Sequence, residues 1–363
     1  MKVDGQNFKS IWRAGSLGQV QIIDQRLLPH SIKIIELNTL NDYCSAISDM
    51  KVRGAPLIGV TAAFAIADAI KEDPSDKNLT KCCELLALTR PTAVNLFWAI
   101  ALLKKELLST PVDFRIEKSR ELADLLAHED IEKNKAIGEH GAKLLHNISK
   151  TKSDGIVNIL THCNAGWLAT VDWGTALAPI FKANRDGIKL HVWVDETRPR
   201  NQGGLTAWEL INEGIDHTLI VDNSGGHLMQ RDLVDIVIVG SDRTTAAGDV
   251  CNKIGTYLKA LAAKENNIPF YAALPSSTID WSITNGLKDI PIENRSSEEI
   301  DYMTGINNAG NMETIRIYPE TVNSLNPAFD VTPSKFVHGI ITEKGILNPD
   351  EGSLRKAFNN NTK

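Results

Sequence analysis

The chain has 363 residues and a net charge of −6, with a pI near 5.9; a single core stops growing at roughly 250 to 300 residues, so two domains are expected. The acidic balance, without a basic cluster or tail, excludes a nucleic-acid surface. Met1 to Trp12 has no apolar core flanked by positive charge and no apolar run approaches the ~18 residues of a membrane span, so a soluble, cytoplasmic protein without membrane contact is expected.

Five cysteines (Cys44, Cys82, Cys83, Cys163 and Cys251) are odd in number and form no Cys-x-x-Cys pair. Free thiols are therefore expected, with neither a disulfide framework nor a zinc site.

From the N-terminus, Val20 to Leu37 carries three apolar patches separated by polar residues and Pro29, which suits a small antiparallel sheet. Asn41 is placed to cap a helix running to Met50. The segment Arg53-Gly-Ala-Pro-Leu-Ile-Gly59 interrupts before an Ala-rich apolar helix that ends near Ile70. Leu79 to Leu108 reads as two helices parted by Thr89-Arg-Pro-Thr92, and the charged 3.6-residue periodicity from Asp113 to His146 as one or two long amphipathic helices. From Ser153 short apolar runs alternate with helical patterns, the mark of parallel βαβ units. Strands are expected at Ile156–Leu160, Leu190–Val194, His217–Val221, Ile236–Val239 and Pro269–Ala273. The stretch Asn326 to Pro333, followed by Ser334 to Gly345, reads as a loop and a short helix packing back on the sheet. The expected fold class is thus α/β: a mostly helical N-terminal domain with a small β-sheet over 1–130, and a Rossmann-like parallel sheet domain over 131–363.

Ligands of open α/β sheets sit beyond the carboxyl ends of the strands, and four consecutive predicted strands end in polar residues. The run closing at Val239 is followed by Asp242 and Arg243. The small residues Thr244 to Gly248 then allow backbone N–H groups to approach a ligand, and Asn252 and Lys253 suit a phosphate; the whole reads as strand, turn and helix. Cys163 follows the strand Ile156–Leu160 beside Gly166, where the positive end of a helix would favour a thiolate, although a cysteine in such a place is equally a small buried filler. After Val194 come Arg198, Arg200 and Gln202, suited to oxyanions or hydroxyls. Arg53 and Arg90 each sit at a helix start beside small residues and prolines, a phosphate clamp in form. No His-x-x-x-His spacing and no nucleotide-binding glycine motif is present, so no metal and no cofactor is expected.

Taken together, Arg53-Gly-Ala-Pro-Leu-Ile-Gly59, Arg90-Pro-Thr-Ala-Val-Asn-Leu96, His162-Cys-Asn-Ala-Gly166, Asp195-Glu-Thr-Arg-Pro199 with Gln202-Gly203, Gly240-Ser-Asp-Arg243 and Gly248-Asp-Val-Cys-Asn-Lys-Ile-Gly255 resemble the methylthioribose-1-phosphate isomerase family. The motifs recur in order from about Ile11 to Leu347, with Asn326-Pro-Ala-Phe-Asp-Val-Thr-Pro333 among them. Regulatory subunits of the eukaryotic translation-initiation exchange factor and ribose-1,5-bisphosphate isomerases are similar in fold. The resemblance implies an aldose–ketose isomerase of methionine salvage that takes a small sugar phosphate, needs no cofactor and works as a homodimer. By the same resemblance Asp242 is the acid/base and Cys163 its partner, while Arg53, Gly54, Ala55, Arg90, Gln202, Asn252 and Lys253 hold the substrate. The alternatives are an isomerase of another 5-substituted ribose 1-phosphate, such as 5-deoxyribose 1-phosphate, and a non-catalytic regulatory subunit.

The chemistry accounts for such residues. In an aldose 1-phosphate the anomeric oxygen is esterified, so the ring cannot open by mutarotation and an acid must protonate the ring oxygen. Asp242 can do so only if desolvation keeps it protonated, which requires Arg243 to point elsewhere. Two places depart from the family pattern: residues 247 to 249 are Ala-Gly-Asp where Asn-Gly-Asp is usual, and the loop after Gln202 runs Gly-Gly-Leu, one residue short and without the usual basic residue.

Overall fold

The computed structural model describes residues 1–15, 18–91 and 93–358; Thr92, read above as part of a loop, and the last residues of the expected second domain lie outside the described residues. After a short antiparallel hairpin of Lys2–Val3 with Gln6–Asn7 come three antiparallel strands, β1 (Ile11–Ala14), β2 (Gln19–Ile23) and β3 (Ile34–Leu37). The apolar patch at Leu27-Leu28-Pro29 is not a strand but a turn, and β1 takes its place. A proline-containing segment cannot supply a full row of ladder donors, whereas Ile11 buries its side chain in the sheet.

Four helices follow: α1 (Leu40–Ser48), α2 (Ala55–Glu72), α3 (Asp76–Thr89) and α4 (Val94–Ser109). The cap of α1 is Thr39 rather than Asn41: its side chain accepts from the Asp42 N–H while the Asp42 carboxylate takes the Thr39 N–H, a reciprocal cap. Helix α2 is apolar on nearly every side and accordingly buried on nearly every side, packed among α1, α3, α4 and the next helix. That next helix, α5 (Arg115–Ser149), is one unbroken element of 35 residues. Its first half sends Leu122, Ala123 and Leu126 into the helical core, and its second half sends Ile137, Ala142 and Leu145 into the core beneath the large sheet. Residue 130, where the two domains were expected to part, falls between those halves.

The rest of the chain supplies β4 (Val157–Thr161), α6 (Ala178–Arg185), β5 (Leu190–Asp195), α7 (Gly203–Asn212), β6 (His217–Ile220), α8 (Ser224–Gln230), β7 (Ile236–Val239), β8 (Arg243–Thr245), β9 (Val250–Lys253), α9 (Thr256–Glu265) and β10 (Phe270–Ala273). An exposed hairpin, β11 (Tyr302–Ile306) with β12 (Met312–Arg316), precedes β13 (Phe329–Thr332), β14 (Gly339–Thr342), β15 (Gly345–Leu347) and α10 (Glu351–Phe358). Among the described residues the main sheet has seven strands in the order β15-β14-β10-β7-β4-β5-β6, parallel throughout except for the β14–β15 hairpin.

Two expectations fail here. Ser334 to Gly345 is not a short helix: after a single turn at Ser334–Phe336 it becomes β14, whose Gly-Ile-Ile-Thr run is fully buried against β10. Nor is the stretch after Asp242 a turn leading into a helix. It is a hairpin, β8 with β9, that continues into a separate four-stranded sheet with β13 and the short strand Ile279–Asp280. Asn252 and Lys253 therefore stand on a strand and not at a helix start.

Candidate active site

The strand order reverses direction between β4 and β7. Successive strands step outward one way from β4 through β5 to β6, and the other way from β7 through β10 to β14. The two are neighbours, with Ile159 opposite Ile236 and Leu160 opposite Val237. At such a point the loops leaving the two carboxyl ends diverge and leave a crevice between them. Cys163 leaves β4 and Asp242 leaves β7, so residues almost eighty positions apart in sequence stand side by side in the fold. Arg53, Gly54, Ala55, Arg90, Cys163, Gln202, Asp242, Asn252 and Lys253 all line the pocket that opens there.

Cys163 is buried and takes a left-handed φ of 71°, a conformation that costs a non-glycine residue roughly 1–2 kcal/mol and clusters at functional sites. Neighbours hold it there. Its N–H donates to Thr197 Oγ1 at 2.8 Å, and its carbonyl accepts from Thr206 Oγ1 at 2.8 Å. Burial pushes the thiol up, against the downward pull of Arg53 and Lys253. The expected thiolate at a helix end is thus not what the structure shows: Gly166 opens only a three-residue turn, Trp167–Ala169, whose weak dipole does not offset desolvation.

Asp242 is half-buried, and the surface it keeps faces the pocket. Its backbone N–H donates to Cys251 O at 2.9 Å, which ties it to β9. Burial raises its carboxyl above the usual range, with Lys253, Arg90 and Arg53 pulling the other way and Glu293 adding to the rise. Arg243 turns to Asp280, 3.5 Å away, in keeping with the requirement that it leave Asp242 to the pocket.

The cations come from the helical region and from the sheet region. Arg53 is buried, donates through both terminal nitrogens to the Asn164 carbonyl at 3.1 Å, and also donates to the Asn164 side-chain oxygen. Its Nε has no partner among the described residues. It precedes Gly54, the N-terminal cap position of α2, where φ is 92° and a side chain would overlap the Ala169 backbone; only glycine fits. The uncapped amino end of α2 therefore opens on the pocket beside Arg53, a pairing suited to an anion. Arg90 reaches the same space from the carboxyl end of α3, not from a helix start, with Glu293 at 3.7 Å. Lys253 lies over the Phe329 ring, 5.0 Å from its centroid, and burial lowers its pKa.

Arg200, Arg295 and Asn164 also line the pocket. Glu299 holds both arginines, at 2.9 Å from Arg200 and 2.7 Å from Arg295. Asn164 lies inside the His-Cys-Asn-Ala-Gly motif and could have been singled out there; Arg295 carries no local signal. Arg198 does not reach the pocket, because its guanidinium donates to the carbonyls of Pro199 and Ile300. Neither Ala247 nor the Gly203-Gly204 pair lines it either; Ala247 belongs to the β8–β9 turn and Gly203 begins α7.

Three strand ends also bring His162, Asp195 and Asp222 together, a grouping that no spacing along the chain reveals. His162 Nδ1 lies 2.9 Å from Asp195 Oδ2 and its Nε2 2.8 Å from Ile254 O. Lys259 Nζ, 3.2 Å from the same Asp195 oxygen, already supplies the cation that such a cluster would otherwise attract.

Residues 51–349 match the model of the initiation factor 2 subunit family. A protein of Sinorhizobium medicae named methylthioribose-1-phosphate isomerase is 54% identical over 360 residues, spanning 99% of both chains. One of that name from Gluconobacter oxydans is 51% identical over the full length of both. The crystal structure of 5-methylthioribose 1-phosphate isomerase from Pyrococcus horikoshii superposes with a TM-score of 0.83 at 40% identity, over 98% of this chain and 97% of that one. A structure described as translation initiation factor eIF-2B, subunit delta, from A. fulgidus gives 0.79 at 41% identity, over 97% and 100%.

Proposed function

The chain belongs to the initiation factor 2 subunit family and, within it, to the methylthioribose-1-phosphate isomerases, and from this premise we propose that it converts 5-methylthioribose 1-phosphate to 5-methylthioribulose 1-phosphate in methionine salvage. One observation carries the reading: a carboxyl whose pKa is raised by desolvation and a cysteine share a pocket with cations from the helical region and from the sheet region, at the point where the sheet order reverses. A regulatory subunit has no use for a desolvated carboxyl of raised pKa lining a basic pocket.

In this reading Arg53, Arg90 and Lys253 hold the phosphate, helped by the α2 amino end at Gly54 and Ala55, and Gln202 and Asn252 hold the sugar hydroxyls. Anchoring the unreactive end orients the reacting carbons. Asp242 gives its proton to the ring oxygen, the bond from that oxygen to C1 breaks, the oxygen stays on C4 as a hydroxyl, and C1 is left electron-poor. Hydrogen then passes from C2 to C1. A thiol held neutral is a poor base for C2–H, and a dianionic phosphate nearby disfavours a thiolate further. A hydride shift from C2 to C1 suits this enclosure better: the C2 hydroxyl becomes the carbonyl, and its proton returns to Asp242. Cys163 then closes the site against water beside the reacting carbons.

The same reading takes the sheet domain as Rossmann-like, supported by the order of its six parallel strands, and the enzyme as a cytoplasmic homodimer. Exposed apolar residues of that domain, Leu219, Val221, Ile315 and Leu325, suit a subunit contact. Among the described residues no helix is long and apolar enough to cross a membrane.

A panel of sugar 1-phosphates tests the assignment. The 5-methylthio compound is expected to give the highest kcat/KM, with 5-deoxyribose 1-phosphate behind it. A reversed order moves the substrate within the class, and no turnover of any member, with binding retained, returns the chain to the regulatory subunits.

A further inference from the structure

Helix α7 carries a carboxylate that the proposed chemistry does not use. Glu209 is fully buried, far from solvent, yet it is surrounded by donors. Asn164 Nδ2 donates to its Oε1 at 2.8 Å, the Trp167 N–H to its Oε2 at 2.8 Å, and the Leu168 N–H to its Oε1 at 3.4 Å. Gly166 lies so close that any side chain there would overlap the carboxylate. Asn164 is thereby oriented: its NH2 faces Glu209 and Thr206, which leaves its side-chain oxygen and its carbonyl to receive Arg53. The chain of contacts runs from Glu209 through Asn164 to the Arg53 guanidinium.

We propose that Glu209 is a positioning residue whose ionised carboxylate presents Arg53 to the anionic substrate, so that substrate affinity rises with pH across the neutral range. The inference rests on the isomerase reading for its substrate and on the hydrogen-bond geometry for its mechanism. Every group around the carboxylate is a donor, so a proton on Glu209 would have no acceptor to meet and would displace one of the three N–H groups. Burial raises its pKa to about 7, while Asn164, the Trp167 and Leu168 N–H groups and Arg53 favour the charged form. Arg53 is the charged group facing Glu209; Arg53 in turn faces Cys163, Asp242 and the like-charged Arg200.

The test compares KM for 5-methylthioribose 1-phosphate between the wild type and Glu209→Gln from pH 5.5 to 8.5. Taking the ratio of variant to wild type cancels the ionisation of the substrate phosphate, which is common to both. With half-ionisation near 7, the ratio is expected to grow by about tenfold between pH 6 and pH 8. Glu209→Asp, which keeps the charge, should restore part of the wild-type pH dependence. A ratio that stays flat with pH, or a loss confined to kcat, overturns the proposal, since a merely structural glutamate would lower activity without moving the KM profile. Should Glu209→Gln fail to fold, Arg53→Ala serves: the Glu209 effect acts through Arg53, so the ratio of the Arg53→Ala KM to that of the wild type should grow by the same factor between pH 6 and pH 8, and a flat ratio would equally overturn the proposal. Titration with inorganic phosphate at pH 6 and pH 8 separates the two readings. A ratio of wild-type to Glu209→Gln phosphate affinity that changes between the two pH values, without sugar turnover, upholds the positioning role and removes the isomerase; turnover with a ratio that does not change does the reverse.

Discussion

The two walls of the pocket are built differently. The sheet wall, made by the loops after β4 and β7, holds its groups through the backbone: Cys163 is fixed in a left-handed conformation by two hydroxyls, and Asp242 is pinned by a bond to β9. The helical wall reaches the same space with long arginine side chains, Arg53 and Arg90, whose heads rest on Asn164 and Glu293. Short, backbone-fixed groups suit chemistry that tolerates little displacement, and long cationic arms suit holding a phosphate. Substitutions in the sheet wall should therefore act on kcat, and those in the helical wall on KM.

The largest effect is expected at Asp242. Asp242→Asn removes the acid while keeping the shape, and kcat should fall by about 10³-fold with KM within a few-fold, in the range that general acid–base groups supply. Steady-state kinetics check it, and an equal loss in KM would erase the contrast between the walls. Cys163→Ala should lower kcat by roughly 10²-fold through water entry and lost packing, and a similar loss in Cys163→Ser would show that the neutral thiol itself matters. In D₂O the hydride route predicts a product without solvent deuterium at C1; full incorporation, read by proton NMR, would assign the transfer to a proton and make Cys163 the base. On the helical wall, Arg53→Ala should raise KM by roughly 10- to 100-fold, as expected for about 1.5–3 kcal/mol of charge-assisted hydrogen bonding, with a smaller change in kcat. The smallest effect is expected at Arg198. Arg198→Ala should leave KM within about twofold because its guanidinium is spent on backbone carbonyls outside the pocket; a large rise would redraw the wall.

The sheet wall was also the more legible in sequence. The run Ile236–Val239 and its partner ending at Thr161 are short, β-branched and apolar, as buried parallel strands must be, and the polar residues that follow them mark the carboxyl rim. The hairpin of β8 and β9 is hidden in the sequence because β9 is buried along its whole length and still includes Asn252 and Lys253, polar groups that periodicity assigns to a surface although a pocket needs them buried. For β14, a four-residue Gly-Ile-Ile-Thr run flanked by turns cannot be told from a short helix by pattern alone. The network behind the pocket left no local trace: Glu209 looks like any glutamate of an amphipathic helix, and only the close approach of α7 to Asn164 and Gly166 turns it inward.

The central claim is that Asp242 works as a neutral acid, and kcat against pH for 5-methylthioribose 1-phosphate tests it most directly. Burial raises the carboxyl's pKa in the folded protein, so the protonated form is full below that value and is lost as pH rises through it. The account predicts that kcat falls on the alkaline side in the wild type and that this limb disappears in the residual activity of Asp242→Asn. A kcat that rises or stays level as Asp242 loses its proton, or a limb that survives in Asp242→Asn, would contradict it.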